Sequence, residues 1–329
     1  MAEGEPRALE SPARDVLERA TNPEYWIDLN PQLTLSSDPF SASPAPFEAL
    51  GTRAEESILR LRREGYDQID PIFPAPRMAN LAQAVQRVVD AGFPTPLAMV
   101  YDEFWQLIPA LDRLLRPILG GAYVIVPDYW IYHIDGQREL GGWEGHRDDE
   151  TGQWTLRDDG SPTLLTLWIP LTDATLDNAC MYVLPTDRDP NFPDNVEKDA
   201  VPFELLPEVR ALPADAGSVL IWNQYALHWG AQRSPRARGP RISLAIYVQS
   251  ADVDPYLAQP LDTSAPLSFE ERLAIASRAV IKYSPYIPVH DDVLCFCQAV
   301  ERHTLGSESG ELASSQPQDG HNLQIRFSS

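Results

Sequence analysis

The sequence predicts an α+β fold, helices first and a mainly antiparallel sheet system after them, with two sheets closing on a site as a jelly roll. Three observations point there. Up to about residue 120 the apolar residues recur at helical spacing. From Ala122 they fall in runs rich in β-branched and aromatic side chains, with no helical stretch between them. The 31 Pro residues, about twice the usual share, lie between the apolar runs and imply many loops around short strands.

Taken in order, residues 1–120 read as a mostly helical extension packed on the core. Thr52-Arg53-Ala54-Glu55 has the form of a capping box, in which hydroxyl and carboxylate satisfy each other's orphan amides. Ile58, Leu59 and Leu61 follow it, with a stop at Gly65. Leu81, Ala82, Val85, Val88 and Val89 share a helical stripe before Gly92, and 97–119 is a longer helical region punctuated at Pro109 and Pro117. Strands are expected at 123–126, 129–132, 164–171, 180–184, 203–206, 218–222 and 242–248, so that residues 121–250 form the sheet core. A polar insertion, 150–161, interrupts it and turns at Asp158-Asp159-Gly160. Ser268-Phe269-Glu270-Glu271 is a second capping box, and 291–302 is also helical, which makes 251–303 a C-terminal helical segment. Residues 304–329, rich in Ser, Gly, Gln and Glu, read as a disordered tail.

Composition narrows the partners. With 329 residues and 43% hydrophobic content the chain can bury a large core. A net charge of −22 repels nucleic acid and anionic membrane, which leaves a small molecule as the expected partner; the oligomeric state stays open. Three Cys (Cys180, Cys295 and Cys297) argue against a disulfide framework and for a reducing, cytoplasmic compartment. Cys295-Phe296-Cys297 lacks the second pair a zinc site needs. The acidic start Met1-Ala2-Glu3-Gly4-Glu5 is unlike a signal peptide, and no apolar run is long enough to span a bilayer.

Chemistry concentrates at Gly145-His146-Arg147-Asp148-Asp149. In extended backbone His146 and Asp148 point to one face and Arg147 to the other. His228, after the apolar run 218–222, supplies a third ligand type from elsewhere in the chain. Two imidazoles and one carboxylate that leave three positions open suit a non-haem Fe(II) site. His133, His290, His303 and His321 have no such surroundings and read as core or surface residues. Asp149 and Glu150 extend the acidic stretch without the spacing of a Ca²⁺ loop.

These residues lie among further motifs: Leu167-Trp168-Ile169-Pro170-Leu171-Thr172-Asp173-Ala174, Tyr182-Val183-Leu184-Pro185, and Ala216-Gly217-Ser218-Val219-Leu220-Ile221-Trp222 ahead of His228. In order and spacing the set resembles the phytanoyl-CoA dioxygenase family over roughly residues 120–250. The resemblance implies a double-stranded β-helix and an Fe(II)- and 2-oxoglutarate-dependent dioxygenase. Such an enzyme uses O2 to hydroxylate or desaturate a small molecule, with succinate and CO2 as co-products. His146, Asp148 and His228 match the iron ligands. Arg241 fits the family's arginine for the far carboxylate of 2-oxoglutarate, because a planar guanidinium pairs a carboxylate bidentately. Arg233, Arg236 and Arg238 compete for that role but read as a loop, whereas Arg241 directly precedes an apolar strand. Ser243 shares the face of Arg241, and Trp168 matches an aromatic position near the cosubstrate or serves as core. A carboxylate at Asp148, where related halogenases have Gly or Ala, favours hydroxylation or desaturation. The chain departs from the family at Ala179-Cys180-Met181 and Thr186-Asp187-Arg188, which touches a loop and the substrate analogy rather than the ligands. Two other readings stay open: a catalytically silent jelly-roll binding protein, and a cupin-type metalloenzyme that uses Zn²⁺ or Mn²⁺ without 2-oxoglutarate.

Overall fold

The computed structural model describes residues 12–136, 144–148, 152–197, 201–257 and 259–312. Among the described residues eight strands form two antiparallel sheets. The strands are β1 (Tyr66–Ile69), β2 (Tyr123–Ile134), β3 (Leu164–Pro170), β4 (Met181–Leu184), β5 (Arg210–Leu212), β6 (Val219–Asn223), β7 (Leu227–Gly230) and β8 (Arg241–Ser250). The larger sheet has the order β1-β6-β3-β8-β2 and the smaller β5-β4-β7. The helices are α1 (Arg14–Arg19), α2 (Pro23–Leu29), α3 (Ala49–Glu64), α4 (Ala75–Asp90), α5 (Asp102–Trp105), α6 (Asp112–Leu119), α7 (Phe269–Tyr283) and α8 (Asp291–Leu312). The result is the expected α+β class, a double-stranded β-helix flanked by helices before and after it.

The larger sheet is covered on both faces, which is why β3 and β8 read as continuous apolar runs. Leu165, Leu167 and Ile169 of β3 and Ile242, Leu244, Ile246 and Val248 of β8 belong to the cluster shared with the helices, which extends from Leu17 to Cys297. The alternate residues face the smaller sheet, where Trp168, Leu220 and Trp222 pack with Met181, Val183 and Leu212. Arg241, Ser243, Ala245 and Tyr247 therefore share the inner face of β8 with polar work to do, while their neighbours hold the sheet to the helices.

Several local expectations shift. The helix over Thr52 begins three residues earlier, at Ala49, and the Thr52 hydroxyl donates to Ala49 O inside the first turn instead of capping it. The buried stripe Leu50, Ala54, Ser57 and Leu61 explains this: Leu50 must lie on the helix to reach the core. Gly65 does end the helix, in the left-handed conformation with φ 78°. The region 97–119 is not one helix but α5, α6 and two 3₁₀ turns, Thr95–Val100 and Pro109–Leu111, with Pro117 inside the last turn of α6. The expected strand at 203–206 is instead a 3₁₀ turn, Phe203–Glu208, with Phe203 85% exposed. Pro202 and Pro207 cannot donate to a ladder, and the strand forms just beyond them as β5. Strands 123–126 and 129–132 are one strand, β2, with a register shift between Val126 and Tyr129. The capping box at Ser268 and Glu271 is present. Residues 1–11, 149–151 and 313–329, which contain the acidic start, Asp149, Glu150, part of the polar insertion, His321 and most of the expected tail, lie outside the described residues, whereas residues 304–312 of that tail continue the backbone of helix α8.

A buried ion pair ties α7 to the N-terminal layer. The Arg272 guanidinium on α7, fully buried, donates to Asp102 Oδ1 and to the Ser36 carbonyl. Asp102 also accepts from Ser36 N at 3.1 Å and from the Thr34 hydroxyl at 3.1 Å. Burial by itself would raise the Asp102 carboxyl, but the Ser36 and Arg272 hydrogen bonds hold it below the ordinary range. Removing one partner strands the other charge. Arg272→Met is therefore expected to cost about 3–5 kcal/mol in urea denaturation, and the pair Arg272→Met with Asp102→Leu less than the single change.

Candidate metal centre

The centre begins with the backbone. His146 and His228 face each other as an antiparallel bridge, with N–H···O bonds of 3.0 Å in both directions. Directly opposed residues project to the same face, so the two imidazoles stand side by side, centroids 4.4 Å apart. Asp148, two residues on, joins them, and the ligating atoms of all three lie within 4.8 Å of one another. Nε2 of His146 is 3.5 Å and Nε2 of His228 is 3.7 Å from Asp148 Oδ1.

The surroundings leave those atoms free to ligate. His146 Nδ1 contacts the Glu144 carbonyl at 2.7 Å and His228 Nδ1 the Ala226 carbonyl at 2.9 Å. A carbonyl only accepts, so each Nδ1 carries the proton and each Nε2 presents its lone pair to the centre. Asp148 Oδ2 accepts from the Thr166 hydroxyl and from Trp222 Nε1, both at 2.7 Å, which turns Oδ1 toward the imidazoles. Gln224 Nε2 donates to the Thr166 hydroxyl at 3.2 Å and so commits that hydroxyl to donate onward to Asp148. A neutral imidazole pair and one oriented carboxylate oxygen fit a divalent first-row metal bound on one face.

The electrostatics agree. Burial lowers the His228 pKa to about 4, so its imidazole is neutral at pH 7. Burial would raise the Asp148 carboxyl, but as pH falls His228 and His146 beside it take up protons first, and their charges together with the Thr166 hydrogen bond hold Asp148 ionised well below the ordinary range.

Arg147 does point away from the site, and where it goes was not legible in the sequence. Its guanidinium is buried, pairs with Asp189 Oδ2 at 2.6 Å and donates to the Tyr225 carbonyl. The residue between the two site side chains thus anchors their segment to the loop after β4 and to the β6–β7 turn. Thr166, Trp222, Gln224 and Asp189 were likewise missed as site residues. The available signal was polar groups inside apolar runs: Thr166 within β3, and Gln224, fully buried, just after β6.

A cavity opens beside the three residues, lined also by Thr166, Trp168, Trp222, Arg241, Trp130, Tyr132, Tyr247 and Tyr283. Arg241 is 1% exposed, and its guanidinium lies 5.4 Å from the ring centroids of both Tyr132 and Trp168. Ser243 sits behind it and accepts from Arg241 Nη1 at 2.5 Å. Trp168 both lines the cavity and packs in the core between the sheets. The rival arginines lie elsewhere: Arg236 pairs with Asp177 at the surface, and Arg233 donates to the Ala237 carbonyl of its own loop. His133 meets Gln86 in the core and His290 lies near Asp292.

Residues 107–239 match the model of the family described as phytanoyl-CoA dioxygenase (PhyH). The matched stretch contains His146, Asp148 and His228 and stops before Arg241. Among curated proteins none matches the chain. Among solved structures, the non-heme alpha ketoglutarate dependent epimerase SnoN from nogalamycin biosynthesis is similar, with 18% identity over 66% of this chain and 96% of that one and a TM-score of 0.48. The carbocyclase SnoK from the same biosynthesis shares 18% identity over 64% and 88%, TM-score 0.49. HygX from Streptomyces hygroscopicus, solved with nickel and 2-oxoglutarate bound, shares 17% over 60% and 86%, TM-score 0.46.

Two outcomes are expected of this centre. Thr166→Val and Trp222→Phe each free one lone pair of Asp148 Oδ2 and should weaken Fe(II) or Co(II) binding about 10–100-fold in a competition titration, with little change in far-UV circular dichroism. The metal-free protein should lose stability as pH falls from about 6.5 toward 4. The unfolded chain takes up the His228 proton first, and the folded chain takes it only near its lowered pKa of about 4. His228→Gln should remove that slope from denaturant midpoints measured across the window.

Proposed function

We propose that this protein is an Fe(II)- and 2-oxoglutarate-dependent dioxygenase that hydroxylates or desaturates a small molecule. One observation carries the reading: two imidazole Nε2 atoms and one carboxylate oxygen converge, each with its other polar atom already satisfied by the protein. The match to the dioxygenase family over 107–239 supports it independently. When bound, Fe(II) and 2-oxoglutarate supply the oxidising power from O2, with succinate and CO2 as co-products.

This chain's residues supply placement. His146, Asp148 and His228 would hold the metal through their converging ligand atoms. Arg241 takes the far carboxylate of 2-oxoglutarate. It is buried between two aromatic rings and steadied by Ser243, so the ion pair forms in a dry setting where a planar fork is most effective. Trp168 forms the wall beside it and excludes water. Asp148 fills the third protein position, which favours hydroxylation or desaturation over halide transfer. Residues 121–250 make the catalytic core, and the described residues of 12–120 and 251–303 its helical layer, joined by one continuous apolar cluster. Free thiols at Cys180, Cys295 and Cys297 support a reducing, cytoplasmic setting. Among the described residues no helix is long and apolar enough to cross a membrane.

Anaerobic addition of Fe(II) and 2-oxoglutarate together is expected to give a visible charge-transfer band that neither gives alone. Arg241→Ala should raise the 2-oxoglutarate concentration needed for that band roughly 100-fold while Fe(II) affinity holds. Iron binding with no band at any 2-oxoglutarate concentration would favour a cupin-type metalloenzyme without cosubstrate.

A further inference from the structure

A set of contacts reaches the ligand segment from outside the cavity. It centres on Tyr225, in the turn between β6 and β7, which is 1% exposed. The Tyr225 carbonyl accepts from Arg147, the residue between His146 and Asp148. Its hydroxyl accepts from Thr155 N at 2.8 Å and donates to the Gln153 carbonyl at 3.1 Å, so the chain that leaves Asp148 is caught on the same tyrosine. Thr155 O then accepts from the amide and from the hydroxyl of Thr163, both at 2.8 Å. Thr163 leads directly into β3, whose Thr166 returns to Asp148. The loop from Asp148 to Thr166 is therefore closed by a hydrogen bond at its ends and pinned to Tyr225 part-way along.

The Tyr225 ring is covered in turn. Trp154 stacks on it with centroids 4.4 Å apart and planes 22° apart, and Phe192 lies 6.2 Å from both rings. The Phe192 amide donates to the Asp189 carbonyl at 3.2 Å, and Asp189 is the carboxylate that pairs with Arg147. Three rings from separate stretches of chain thus meet, and each stretch also has a hold on residues 146–148. None of the three lines the cavity. Trp154 is 50% exposed. An indole half in water adds little to a core, but stacking in this geometry fixes the relative position of the stretches it joins.

We propose that Trp154, Phe192 and Tyr225 form a clamp of positioning residues that holds Arg147, and through it His146 and Asp148, in register with His228. The inference rests on the metal reading for what the ligands bind, but the clamp itself can also be tested on the metal-free protein.

Trp154→Ser, Trp154→Tyr and Tyr225→Phe are made in the full chain, with Phe203→Ser, an exposed ring on the 3₁₀ turn before β5, as the control. Co(II) is the probe, because its visible absorption reports ligand geometry as well as affinity. Trp154→Ser should weaken Co(II) binding about 3–10-fold and alter the visible spectrum. Trp154→Tyr restores a stacking ring and should recover affinity to within about twofold of wild type. Tyr225→Phe keeps the ring and the carbonyl but strands the buried Thr155 amide; it should also weaken Co(II) about 3–10-fold, and it carries the test where Trp154→Ser fails to fold. In the metal-free protein, hydrogen exchange followed by mass spectrometry should quicken over 144–148 in Trp154→Ser and in Tyr225→Phe while β3 and β8 exchange as in wild type. Phe203→Ser should change neither readout. Unchanged Co(II) affinity in Trp154→Ser, failure of Trp154→Tyr to restore it, or exchange that rises equally in β3 and β8 would each overturn the inference; the last would make the stack a contributor to overall stability alone. Wild-type protein that takes up no Co(II) would instead count against the metal reading, and the exchange comparison would then decide the clamp.

Discussion

The structure depends on a reciprocal backbone pair. Two N–H···O bonds between His146 and His228 join a segment outside the regular strands to the smaller sheet and set two imidazoles on one face. Everything else at the centre answers to that bridge. Two backbone carbonyls fix the rings, Thr166 and Trp222 fix Asp148, and the buried Arg147–Asp189 pair holds the segment that carries both His146 and Asp148. Such preorganisation matters because an imidazole or carboxylate free to rotate would lose affinity for the ion it is meant to hold.

The larger sheet makes the arrangement stable by dividing its labour. One face of β3 and β8 belongs to the helical layer and supplies cohesion through Leu, Ile and Val. The other turns Thr166, Trp168, Arg241 and Ser243 inward, where rings and a hydroxyl lie around the buried guanidinium. The Arg272–Asp102 pair does for the helices what Arg147–Asp189 does for the site segment. In both cases a buried charge pair joins parts of the chain that no local hydrogen bonding would bring together.

Much of the fold was legible because side-chain periodicity follows backbone geometry. The continuous apolar runs at Leu164–Pro170 and Arg241–Ser250, the Gly65 stop and the Ser268 capping box each state a local rule that the structure obeys. Where local rules were overruled, burial did it. Leu50 drew a helix start upstream of Thr52, and the stretch after Thr95 broke into short turns whose residues are fully inside. At 203–206 the flanking prolines carried the correct message, and the apolar content did not.

The sequence by itself nominated the side chains that could act: His146, Asp148 and His228 as candidate ligands, and Arg241 as the candidate cosubstrate arginine ahead of its rivals because an apolar strand follows it. Tertiary structure alone decided how they are held. The partners of Asp148 come from β3 and β6, the carboxylate that pairs with Arg147 is 42 residues away, and Trp130 of β2 meets Tyr283 at the end of α7. Hydrogen bonds and ring contacts of that kind join residues with no fixed spacing along the chain, so no pattern in the sequence encodes them.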